Sequence, residues 1–180
     1  MEAGPAALLL HHAEPLHLEL WPRRDGELAE YLRWLTVSHV QRWHAHYHTS
    51  GSGSLYQGRF KSFPIQQDDH LLTVCRYVER NALRAGMVAR AEAWRWSSLL
   101  QRSDATMVGP RLDTWPIAVA GDWVRYVNGT ETEGELEALR RSVVRGAPYG
   151  APGWQSRTAK RLGLQSALRQ RGRPRKAVEG

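Results

Sequence analysis

The chain is short of cysteine, of phenylalanine and of long apolar runs, and each shortage closes off a class of protein. Its single cysteine, Cys75, excludes an internal disulfide framework and suits a reducing cytoplasm. No apolar stretch approaches the roughly 20 residues that a membrane-spanning helix needs. Ala6 to Leu10 is too short for the hydrophobic part of a secretory leader, lacks a basic start and runs into His11 and His12. Two phenylalanines stand against eight tryptophans, so core packing and any base stacking fall to indole rings. Acidic residues are also outnumbered: 18 Asp and Glu face 25 Lys and Arg, a net charge of +7 over 180 residues. That surplus favours a polyanionic partner, nucleic acid foremost, and the length suits one modest core with a tail.

What is present concentrates between Leu55 and Leu99. The pattern there reads as a strand, a polar turn, a helix, a glycine stop and a tryptophan-rich closing segment. Leu71, Leu72, Val74, Cys75 and Val78 supply an apolar helical face, and Asp68 and Asp69 sit where carboxylates favour a helix N-terminus. Gly86 is placed as a left-handed stop. Within this helix Tyr77 and Asn81 stand four residues apart, which puts both on one face among Arg76, Arg80 and Arg84. A phenol oxygen can attack phosphorus, an amide oxygen can coordinate a metal, and arginines hold phosphate oxygens. The same spacing also suits a tyrosine half-packed on the core and an asparagine near a helix end, and spacing does not choose between the two.

The segment closely resembles the REP-associated tyrosine transposases, relatives of the small insertion-sequence transposases with an HUH motif and one catalytic tyrosine. That family runs Gln-Gly-Arg-Phe-Lys-Ser, then Arg-Tyr-x-x-x-Asn-Pro-x-Arg-Ala-Gly, then Trp-x-x-Ser-Ser. Here these are Gln57 to Ser62, Arg76 to Gly86 with Ala82 for the proline, and Trp94 to Ser98. The resemblance implies that Tyr77 is the nucleophile and Asn81 a ligand of a divalent ion, Mg²⁺ or Mn²⁺. It further implies single-stranded, hairpin-forming DNA as partner, a cytoplasmic, nucleoid-associated location, and cleavage through a 5′-phosphotyrosine. Its fold is α+β: an antiparallel sheet with helices on one face, in the ferredoxin-like manner.

Leu16 to Trp21 alternates with period two and is expected to form a strand ended by Pro22. By the resemblance it carries the HUH motif. Anchoring on Leu18-Glu19-Leu20-Trp21-Pro22 makes His17 the second histidine and puts Pro15 where the first belongs. His11 has the right parity, but six residues of strand is roughly 20 Å, too far for a shared metal. The expectation is therefore a family member truncated at its N-terminus or decayed, or with a misplaced start, lacking the first strand and half of its metal pair. The alternatives are a non-catalytic DNA-binding module and a decayed remnant.

Glu27 to Thr49 reads as an amphipathic helix with Leu28, Tyr31, Leu32, Leu35, Val40, Trp43 and Tyr47 near one stripe. Leu55 to Ile65 alternates again and is expected as a second strand, presenting Arg59 and Lys61 on one face for phosphate contact. Trp94, Trp96 and Leu99 are expected to close the core. Short helical pieces around Trp115 and Asp122 to Tyr126 precede a helix over Glu131 to Arg145, acidic at its start and basic at its end. A Leu162-Gly163-Leu164 turn after a short helix gives a weak helix-turn-helix pattern. The run Arg169 to Lys176 places Arg171, Arg173 and Arg175 in a Gly/Pro-broken basic tail of AT-hook type, suited to A·T minor grooves or to nonspecific contact. The domains expected are 1–100, catalytic in type; 101–168, a helical extension; and 169–180, the tail.

Overall fold

The computed structural model describes residues 16–56, 58–104, 106–119 and 121–169. Regular structure among them is helical. In chain order come α1 (Glu27–Tyr47), α2 (Asp69–Glu79), α3 (Asn81–Arg84), a 3-10 turn at Ala91–Ala93, and α4 (Ser98–Ser103). Then follow α5 (Trp123–Asn128), α6 (Glu133–Arg145), α7 (Pro152–Arg161) and α8 (Gln165–Leu168). No helix among the described residues is long and apolar enough to cross a membrane.

The antiparallel sheet expected from the alternating segments is absent among the described residues. Among the described residues the one β contact is an isolated parallel bridge between Ile65 and Tyr149. A strand needs a neighbour for its N–H and C=O groups, and alternation alone does not supply one. In Leu55 to Ile65, Gly58 adopts φ 82°, which interrupts the extended run. Pro64 has no N–H, and its carbonyl accepts from Tyr149 N at 2.9 Å, while Gln66 N donates to Tyr149 O at 2.9 Å. In Leu16 to Trp21 it is the polar parity that meets α2, with His17 beside Tyr77 and Glu19 beside Cys75.

Two compact units divide the chain. The first groups Met1–Phe60 with Cys75–Thr130, the second Lys61–Val74 with Glu131–Gly180. The first has its core where Ala91, Leu99 and Val127 pack with Leu83, Trp123 and Val124. Leu99 is fully enclosed, and fully burying such a side chain contributes roughly 1.5–3 kcal/mol. Trp96 leaves this core: it is 44% exposed, with the Arg95 guanidinium 4.4 Å from its ring. Helix α1 fully buries none of its residues: along its apolar stripe Leu28, Tyr31, Leu32, Leu35, Val40 and Trp43 are half-buried and Tyr47 is exposed.

The second unit is set by local signals. Thr132 and Glu135 form a reciprocal capping box at the start of α6, contributing about 1 kcal/mol, and Leu136 and Leu139 are its buried face. Gly146 stops α6 at φ 64°, a left-handed position, and Ala147 N returns to Ser142 O at 3.3 Å. The Leu162-Gly163-Leu164 turn does separate α7 from α8. With four residues, α8 is too short for the recognition helix that a helix-turn-helix requires.

Candidate functional site around Tyr77

The expected single helix through Tyr77 and Asn81 is broken between them. Helix α2 ends at Glu79, α3 begins at Asn81, and Arg80 sits at φ −82°, ψ −5°. The chain is carried across by Arg80 N to Arg76 O and Arg84 N to Arg80 O, both 2.9 Å. Arg84 bridges the break. Both of its terminal nitrogens donate to the Tyr77 carbonyl at 3.3 Å, and one donates to Asn81 Oδ1 at 2.7 Å. Its guanidinium also lies 4.0 Å from the Tyr77 ring centroid, within cation–π range. His17 completes the group, its ring edge-on to Tyr77 with centroids 6.0 Å apart. Past Arg84 the chain turns through Gly86 (φ 70°), where Met87 N reaches Ala82 O and Gly86 N reaches Leu83 O, a Schellman stop.

Tyr77, Asn81, Arg84 and His17 are thus brought together. The two arginines nearest them are spent elsewhere. Arg76 is 7% exposed with its guanidinium 4.5 Å from the Tyr126 ring, and Arg80 donates to Asn128 O at 2.8 Å and Val127 O at 3.4 Å. Both hold α5 against α2, which leaves little of them for a phosphate. Arg59 and Lys61 are exposed, one in each unit. Arg171, Arg173 and Arg175 lie outside the described residues.

The donor set His17 and Asn81 does not fit a divalent ion as arranged. The Asn81 side chain sits in a residue only 9% exposed and its oxygen already accepts from a cation. Mg²⁺ and Mn²⁺ take about six ligands, largely oxygens. No cluster of three or more His, Cys, Asp or Glu that could hold a metal occurs among the described residues.

Sequence reasoning missed two acidic groups beside this site, the buried Glu79 and the half-buried Glu19. Glu79 is fully enclosed, accepting from Ser98 Oγ at 2.5 Å and Trp123 Nε1 at 2.6 Å. Burial pushes its carboxyl above the usual range, against those two hydrogen bonds. Glu19 accepts from Cys75 Sγ at 3.0 Å, and its other oxygen, Oε1, finds no hydrogen-bond partner among the described residues. Burial raises Glu19 to about 7, the Cys75 hydrogen bond opposes this, and the nearby Glu79 adds to it. The Cys75 thiol is likewise pushed up, by burial first and then by Glu19, which makes it a packing group and not a nucleophile. Position 79 was findable: it follows Cys75 by four, a carboxylate on the buried stripe of α2. Compared with protein-family models, with curated proteins and with solved structures, the chain matches none.

Proposed function

We propose that this chain is a DNA-binding protein of the tyrosine-transposase kind, acting on single-stranded, hairpin-forming repeats, with strand cleavage suppressed. The observation that carries it is the Arg84 guanidinium, which lies on the Tyr77 ring and takes the Asn81 oxygen at 2.7 Å. In the reaction that the resemblance implies, the tyrosine oxygen bonds to a backbone phosphorus and the P–O3′ bond breaks. The phenol proton is lost and the 3′ oxygen gains one, leaving a 5′-phosphotyrosine and a free 3′-OH. Tyr77 and an adjacent arginine retain the nucleophile and one phosphate-binding group. The rest of the activation is impaired, because Pro15 stands at the first histidine position and Asn81 is engaged. Affinity falls to the exposed Arg59 and Lys61 and to the basic tail, and a DNA partner places the chain in the cytoplasm with the nucleoid.

A hairpin oligonucleotide titrated with the protein over a range of salt tests the binding. The expected result is retardation whose log affinity falls linearly with log salt and is unchanged by EDTA, with Arg59→Ala and Lys61→Ala each lowering the slope by about 1. No retardation at low salt overturns the reading.

A further inference from the structure

The second unit carries a basic groove that no part of the Tyr77 chemistry uses. Arg140, Arg141, Val144 and Arg145 of α6 line one side, with Ser166 and Ala167 of α8 on the other. Arg145 crosses it, donating to Ser166 O at 3.4 Å. Arg140 and Arg141 are exposed, and Val144 is 65% exposed. The acidic lining residue is Glu137, held by Arg141 at 3.5 Å in a solvent-exposed pair. Such a pair is weak enough to exchange for a phosphate. Directly after α8 the sequence continues into the basic run Arg169 to Lys176.

We infer that this α6/α8 groove binds the phosphate backbone of double-stranded DNA, the paired stem of a hairpin. Its lining distinguishes stem from loop. Proteins that grip single strands stack bases on aromatic rings, and among the described residues no aromatic side chain lines this groove. Arginines along a helix suit instead the regularly spaced phosphates of a duplex, read for position and not for sequence. The inference deepens the proposed function, on which its biological sense rests, but its binding test stands apart from it.

The full chain and an Arg140→Ala/Arg141→Ala double variant are titrated with a blunt duplex lacking any loop, and with an unstructured single strand. Circular dichroism and a melt confirm that the exposed substitutions leave the fold intact. The double variant is expected to bind the duplex more weakly with a salt slope lower by about 2, and to bind the single strand as the parent does. An unchanged duplex slope overturns the groove assignment. An equal loss on both nucleic acids overturns it too, because the arginines then serve a nonspecific field. Failure of the parent to bind any DNA sinks the proposed function itself, a separate outcome.

Discussion

Glu79→Ala is expected to lower the unfolding free energy by about 3–5 kcal/mol. The substitution removes the acceptors of Ser98 Oγ and Trp123 Nε1 together, and both donors sit on elements packed around the Ala91–Leu99–Val127 core. Each donor left buried without a partner costs about 1–3 kcal/mol, and the vacated volume adds to that. Glu79→Gln keeps an acceptor and the shape, and is expected to recover more than half of the loss. Denaturant unfolding of the two variants checks this. A Glu79→Ala protein within about 1 kcal/mol of the parent contradicts the hydrogen-bond network.

Stability is expected to fall as pH rises from about 4.5 towards 7, because of Glu19. Its carboxyl is raised from 4.5 to about 7 in the folded chain, so between those values the folded state holds a proton that the unfolded state has released. The stabilisation is fully present below the unfolded value and is lost as pH rises through the folded one. A shift of this size corresponds to on the order of 3 kcal/mol. The cause is burial first, with the Cys75 thiol opposing and Glu79 reinforcing. Glu19→Gln carries no titrating proton and is expected to flatten the profile over this window. A parent whose unfolding midpoint is level from pH 5 to 7 contradicts the assignment.

How far the fold was legible depends on where each signal resides. Helix α6 was legible because its determinants are local: acidic residues at the start, basic ones at the end, and Gly146 at a left-handed stop. The Thr132–Glu135 box was there to be read as well. The sheet was misread because alternation in Leu16 to Trp21 and Leu55 to Ile65 specifies faces and not partners, and pairing is non-local. The break at Arg80 was invisible for the same reason. Arginine is a good helix former, and what holds this one is its side chain on the Val127 and Asn128 carbonyls, 47 and 48 residues away.

The site shows the same split. The closeness of Tyr77, Asn81 and Arg84 follows from short sequence spacing and was legible. The employment of Arg76 and Arg80 as clamps on α5 depends on where a distant helix packs, so a row of arginines that reads as a phosphate surface is partly spent inside the fold. Glu19 belonged to the polar parity of an alternating run, and only its apposition to Cys75 marks it as half-buried.

The most direct measurement is incubation of the full chain with a 5′-labelled single-stranded hairpin in Mg²⁺ or Mn²⁺, followed by denaturing electrophoresis. Parallel native gels of wild type and Tyr77→Phe accompany it. Both proteins are expected to retard the hairpin alike, with no covalent protein–DNA adduct surviving denaturation. An adduct formed by the wild type and abolished in Tyr77→Phe would contradict this, showing that Tyr77 is a working nucleophile despite Pro15 and the Arg84–Asn81 contact.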